Sequence, residues 1–302
     1  MPAQPEPGGL PRLGLVLLVL ITLIWGFAWP AMKIVLNEMT PWAFRTATLP
    51  LAGVLLMGLA RLSGLPLAVP REQWRDLVIV ALVNVGGWQI FSALGLDNLS
   101  SGRAVLIAYT MPVWASLSAA VLLGEALTGR LVFALALGTA GVGILMFGDF
   151  GALGATPLGV VYMLCAAASW GLGIVLLKRV HWYIPTLSLA AWQLLIAGII
   201  IAATSWAIGE ARIPMLSPLA WTMLIFVLLG PICFCTYAFF RVVSLFPANV
   251  SAIGTLMIPV VGVVSGNLVL GEPIGWREIL ALALIGSAMA LTLLFPGRRA
   301  RG

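Results

Sequence analysis

The sequence predicts an all-α membrane protein with ten transmembrane helices in two inverted five-helix repeats. Three observations carry that expectation. Of the 302 residues, 62% are hydrophobic and 9% charged, and the mean hydropathy is +1.11, values outside the range of water-soluble domains of this size. The apolar residues gather into ten stretches of roughly 18 residues or more, the length that crosses a bilayer as a helix. The first five stretches then echo in the second five. Trp25-Gly26 and Lys33 return as Trp170-Gly171 and Lys178 at an offset of 145 residues, while Trp74, Pro112 and Gly124-Glu125 return as Trp221, Pro259 and Gly271-Glu272 at 147. Because five crossings is an odd number, the second copy starts on the opposite side of the membrane and lies upside down, the arrangement from which alternating-access carriers are built.

The first repeat, residues 1–150, is expected to hold spans near 13–36, 42–62, 74–95, 102–123 and 130–147. The second, residues 151–302, is expected to hold spans near 157–178, 186–208, 218–240, 248–270 and 276–295. Helices are favoured over a barrel because glycines and prolines inside the spans can be accommodated by neighbouring helices, whereas an open sheet edge has no partner in lipid. The first stretch follows Arg12 as the core of a signal peptide would. Its Trp-Gly and Lys recur in the sixth stretch, so it is expected to stay in the mature protein. The longest connection, around Ser63 to Gln73, is about ten residues, too short for a soluble catalytic domain.

A net charge of +6 raises nucleic acid as a partner, but the distribution of the charge speaks for a membrane instead. With both termini cytoplasmic, eleven of the 16 Lys and Arg face inward: Arg12, Arg61, Arg71, Arg75, Arg130, Lys178, Arg179, Arg241, Arg298, Arg299 and Arg301. Lys33, Arg45, Arg103, Arg212 and Arg277 are assigned to the outer side. This positive-inside bias sets the orientation, and the Arg-rich tail reads as an anchor at anionic headgroups. The three cysteines, Cys165, Cys233 and Cys235, lie in spans, and Cys-Phe-Cys without nearby His or carboxylate is a poor ligand set; no metal or other cofactor is expected. The only histidine, His181, lies in a loop, and there is no His-Glu-x-x-His or Gly-x-Ser-x-Gly, so an intramembrane enzyme lacks its nucleophile and base. A channel-like pore or a non-transporting membrane subunit is the alternative class, though the chain has no charged ring or filter-like segment for a pore.

Ten spans in two halves, Trp-Gly near the middle of spans one and six, and a proline in spans four and nine, each closed by Gly-Glu, resemble the EamA type of the drug/metabolite transporter superfamily. Within it the chain is most similar to the YddG-type amino-acid exporters of bacterial inner membranes. The resemblance implies a central cavity lined by spans one, three, four, six, eight and nine, with five and ten peripheral. It also implies export of amino acids, aromatic ones included, as the small-molecule substrate, with the lipid bilayer as the protein's setting.

The residues offer a candidate substrate site at mid-membrane depth. Asn84, Trp88 and Ser92 are spaced four apart and share a helical face, as do Tyr109, Pro112 and Ser116, and Gly230, Cys233 and Tyr237. Buried amides and hydroxyls at this depth need a partner, which is either another helix or a ligand. Trp25 and Trp170 are mid-span, unlike Trp42, Trp182, Trp206 and Trp276 near span ends, where aromatic belts form; they are either packing residues or cavity walls. The candidate substrate-binding set is Trp25, Asn84, Trp88, Tyr109, Trp170 and Tyr237. Pro112 and Pro259 are each expected to kink a helix, and Gly262 and Gly266 to serve close helix packing. All ten acidic residues lie in loops or near span ends, which favours facilitated or weakly coupled transport over a carboxylate proton relay. Two pairs of span-end charges complete the set: Lys33 with Glu272 on the outer side and Lys178 with Glu125 on the inner. They are either gating contacts or ordinary helix-end charges.

Overall fold

In the computed structural model, residues 12–124, 128–146, 157–245 and 257–293 are described. The chain runs α1 (Arg12–Leu36), α2 (Pro41–Leu62), α3 (Trp74–Val80), a π-helical turn (Ala81–Gly87), α4 (Trp88–Asn98), α5 (Ser101–Ala108) and α6 (Met111–Leu123). It continues through α7 (Gly129–Met146), α8 (Pro157–Arg179), α9 (Thr186–Ala207), α10 (Pro218–Val227), a second π-helical turn (Leu228–Phe234), α11 (Cys235–Leu245), α12 (Ile258–Leu270) and α13 (Trp276–Leu293). Among the described residues seven helical stretches are long and apolar enough to span a membrane: Arg12–Leu36, Pro41–Leu62, Arg71–Asn98, Ser101–Leu123, Pro157–Arg179, Thr186–Ala207 and Pro218–Phe239. The expected fifth and ninth spans correspond to the shorter apolar helices Gly129–Leu145 and Ile258–Leu270, the tenth to α13.

The Trp-Gly pairs acquire a reason in the packing. A Cβ at Gly26 would run into the Val261 side chain, and one at Gly171 would lie 2.5 Å from the Ala115 nitrogen. Glycine therefore brings α1 onto α12 and α8 onto α6 at backbone distance. The same device joins α2 to α9, where a Cβ at Gly53 would lie 2.7 Å from Leu195 N and one at Gly198 2.6 Å from Pro50 N. Without a hydrophobic force between helices in lipid, such close approach is what holds them. The packing role expected of Gly262 and Gly266 is seen: their missing Cβ atoms make room for Val105 and for Ser101 and Glu272. Gly124 and Gly271 end α6 and α12 in the left-handed conformation, φ 67° and 66°, which glycine adopts without the Cβ penalty. That is the physical content of the Gly-Glu echo.

Two elements differ from expectation. Pro112 and Pro259 do not kink continuous helices; each sits in the first turn of a new one, α6 and α12, where a missing N–H costs nothing. Span four is broken at Tyr109–Thr110, with Thr110 Oγ1 donating to Ile107 O at 2.7 Å. The π-helical turns are the second difference. They fall at corresponding places, Asn84 in one matching Pro231 in the other, and each frees backbone carbonyls, as π-turns do at functional sites.

Hydrogen bonds define two ends of the molecule. At one, Lys33 donates from Nζ to Leu96 O (2.8 Å) and Asp97 O (2.9 Å), and Glu38 accepts from Ser217 N (2.7 Å) and Oγ (2.6 Å). Glu272 there accepts from Ser101 N (2.6 Å), Ser101 Oγ (2.8 Å) and Gly102 N (2.9 Å). At the other, Gln73 Nε2 donates to His181 O (2.7 Å) and Trp192 Nε1 to Leu67 O (2.8 Å). Hence α1 ends at the first face and α8 at the second.

Candidate functional site

Between these ends an aromatic row crosses the helix bundle. Trp88, the first residue after the π-turn, meets Trp29 of α1 edge-on at 6.4 Å between centroids and Trp170 of α8 at 5.3 Å. Trp25 lies one turn from Trp29, packs on Phe239 at 5.6 Å, and donates from Nε1 to Pro231 O at 3.1 Å. Indole thus takes up a carbonyl of the second π-turn, while Ser169 of α8 donates to Val83 O in the first. Tyr109 is buried in the core that also holds Trp25, Trp29 and Trp88. Of the six expected site residues, Trp88 and Trp170 are in direct ring contact, and Trp25, Trp88 and Tyr109 belong to one hydrophobic core.

Asn84 is buried: it donates from Nδ2 to Gln193 Oε1 of α9 at 3.2 Å and lies against Gly173 of α8, one turn along α8 from Trp170, which Trp88 meets. Its Oδ1 has no hydrogen-bond partner. Ser92, the third residue of the face expected to hold Asn84 and Trp88, accepts from Arg45 of α2 at 3.2 Å. Tyr237, on α11, is 40% exposed. Trp29 is a member that sequence reading missed. Its i+4 spacing from Trp25 was the available signal.

The charged candidates are also placed. Lys33 and Glu272 form no direct ion pair; they hold the Leu96–Gly102 turn from its two sides, Lys33 on the carbonyls ending α4 and Glu272 on the amides opening α5, where each charge complements the helix dipole. Lys178 is exposed, and Glu125 lies outside the described residues. An ion pair that sequence reading did not anticipate joins Arg103 to Glu278 at 3.1 Å. Arg45, assigned above to the outer charges, is instead buried inside α2 at 2% exposure.

Glu38 lies in the loop after α1, and its two hydrogen bonds from Ser217 hold its carboxyl below the ordinary value of 4.5. The ionised form is favoured in the folded protein, so the tie is complete above the ordinary carboxylate range and is lost as pH falls through the depressed value. Spin-label distances between the 37–40 loop and residue 217 are expected to lengthen only in acid, below the ordinary carboxylate range. E38Q should abolish that dependence, and a distance flat with pH in the wild type would show that the tie carries no such role.

Helices long and apolar enough to cross a bilayer, joined by glycine-mediated contacts, define a multi-pass helical membrane protein. The EamA-like transporter family model matches residues 12–147 and again residues 157–294, and the chain belongs to that family. It is 28% identical to the uncharacterized transporter YvbV of Bacillus subtilis (strain 168), over 91% of this chain and 90% of that one. It is 25% identical to the S-adenosylmethionine/S-adenosylhomocysteine transporter of Chlamydia muridarum, over 86% and 85%. A 131-residue match, 31% identical and covering 42% and 43%, is to a Streptantibioticus cattleyicolor protein named "Probable terminal-alkyne amino-acid exporter". A solved crystal structure superposes with a TM-score of 0.66 at 20% identity, covering 93% of this chain and 96% of the other.

Proposed function

We propose that the protein is an alternating-access exporter of amino acids, aromatic ones included, built of ten crossings in two inverted five-helix repeats, 1–150 and 151–302, in a bacterial inner membrane with both termini cytoplasmic. The observation that carries this reading is the aromatic row. Trp29 and Trp88 come from the first half, Trp170 from the second, and they meet where the π-turns interrupt regular backbone. Irregular backbone at membrane depth belongs beside a cavity or site, and indole faces suit a flat apolar side chain. Trp25, Asn84, Trp88, Tyr109, Trp170 and Tyr237 are the proposed substrate-binding set. Asn84 Oδ1, unpartnered and buried, is free to accept from a ligand. Two relatives bear names whose substrates contain an amino-acid group, which supports the substrate class.

In this reading Lys33 and Glu272 close the outer mouth by clamping the Leu96–Gly102 turn, and Lys178 and Glu125 act at the inner mouth in the opposite state. Partly desolvated contacts of this kind bias the equilibrium between the two states by a few kcal/mol at most. The test is efflux of labelled phenylalanine from proteoliposomes holding the purified protein, with and without a pH gradient. Saturable efflux above that of protein-free vesicles is expected, competed by tryptophan and tyrosine. Efflux equal to that of protein-free vesicles for every amino acid tried would end the proposal.

A further inference from the structure

Among the described residues Arg45 is the largest side chain buried almost completely. It stands in the second turn of α2. Its Nε donates to Gln89 O at 2.7 Å, and one Nη donates to Ser92 Oγ at 3.2 Å and Met32 Sδ at 3.7 Å; the guanidinium also lies over the Phe44 ring at 4.5 Å. Every one of these partners is neutral. Among the described residues no carboxylate is within ion-pair distance of Arg45, and its other Nη makes no hydrogen bond. An unpaired guanidinium buried this completely is expensive, and an ionisable group inside a membrane helix marks function unless a counter-ion accounts for it. Arg103, at the same end of the molecule, has its counter-ion in Glu278; Arg45 has none.

Position adds the second half of the argument. Met32 follows Trp29 by three residues on α1, and Gln89 and Ser92 follow Trp88 by one and four on α4. The atoms that hold Arg45 therefore lie within about one helical turn, roughly 5 Å, of the Trp29–Trp88 contact along both helices. That is close to the span between the carboxylate and the ring of an aromatic amino acid. The position of α9 matching Arg45 is Ala190, so the cation occurs once, as an asymmetric ligand requires.

We propose that Arg45 is the substrate-binding residue for a carboxylate, completing an anionic subsite one turn outward of the aromatic row. A single guanidinium with free N–H groups suits a monoanionic carboxylate, which it can bind through two parallel hydrogen bonds. The inference rests on the reading of the aromatic row as the substrate site, and names the chemistry that site selects. A neutral Arg45 surround also stores the cost of the empty state, so the carboxylate supplies the missing counter-charge on binding.

Tryptophan fluorescence of the purified protein in detergent, titrated with phenylalanine, phenylalaninamide and phenylpropionate, tests it. Both acids are expected to bind about 100-fold more tightly than the amide in the wild type. R45Q should weaken the acids by about that factor and leave the amide unchanged, so the preference collapses; R45K, a charge without the planar fork, should keep only part of it. Equal binding of acids and amide by the wild type would overturn the proposal, as would a full acid preference retained in R45K or in folded R45Q. Should R45Q fail to fold, the wild-type panel and R45K still decide. Phenylpropionate binding without phenylalanine binding would end the amino-acid reading and leave Arg45 as a carboxylate site, whereas binding of neither acid overturns Arg45 itself.

Discussion

Trp88→Ala will weaken binding of an aromatic amino acid by about 10- to 100-fold and lower its efflux accordingly, in protein that still folds. Trp88 is the only ring in contact with both Trp29 and Trp170 among the described aromatic pairs. Each aromatic contact is worth about 0.5 to 1.5 kcal/mol beyond area burial, and two such contacts made by a ligand in place of a neighbour convert to that range of affinity. The ring is only half buried, so its removal opens the site more than it hollows the core. Trp88→Phe should retain most of the binding. Fluorescence titration and proteoliposome efflux read the effect, and size-exclusion behaviour controls for folding. Wild-type affinity in Trp88→Ala would remove the aromatic row from the substrate path.

Gly171→Ala will destabilise the protein by about 3 kcal/mol, more than any other single methyl added on the Trp-Gly motif. A Cβ at Gly171 would lie 2.5 Å from Ala115 N, 2.8 Å from Trp114 C and 2.9 Å from Trp114 Cβ. Two of these are backbone atoms, which cannot rotate out of the way, so α8 and α6 would have to separate. At Gly26 the clash is chiefly with the Val261 side chain, and the cost should be smaller. Gly143, with nothing within 4 Å of its added Cβ, is the neutral control for alanine substitution. Thermal unfolding in detergent should rank the three Gly171, Gly26, Gly143; a Gly171→Ala variant as stable as Gly143→Ala would mean that the two helices are not in backbone contact.

The repeat positions at which these glycines fall were legible because close packing of helices in lipid leaves one chemical solution, a residue without a side chain, and it was needed in both halves. The Gly-Glu echo was legible for a like reason: a helix ending in the left-handed conformation selects glycine in any sequence. Trp25, Trp88, Tyr109 and Trp170 could be nominated because an aromatic side chain in mid-span is unusual for an anchoring residue. Trp29 carried the same signal and was passed over beside Trp25.

What the linear order could not supply is where the regular helix breaks. Nothing in Ala81–Gly87 announces a π-turn, since the choice between i+4 and i+5 bonding is made by what the freed carbonyls can reach, here Ser169. Pro112 and Pro259 were visible, but whether a proline bends a helix or begins one depends on whether the residues before it leave the helix, as Tyr109 and Thr110 do.

Hydropathy, spacing and repetition by themselves determined that the chain is a helical membrane protein and where its apolar helices fall, because lipid imposes length and internal hydrogen bonding on any segment that crosses it. The pairing of charges was decided only by the tertiary structure. Counted along the chain, Arg45 is one more cation near a helix end; in the fold it is enclosed by Met32, Gln89 and Ser92 with no carboxylate beside it, because burial depends on which helices arrive from elsewhere in the sequence. Lys33 and Glu272 likewise grip opposite sides of one turn instead of each other, since a helix end offers each of them a closer partner of the right polarity.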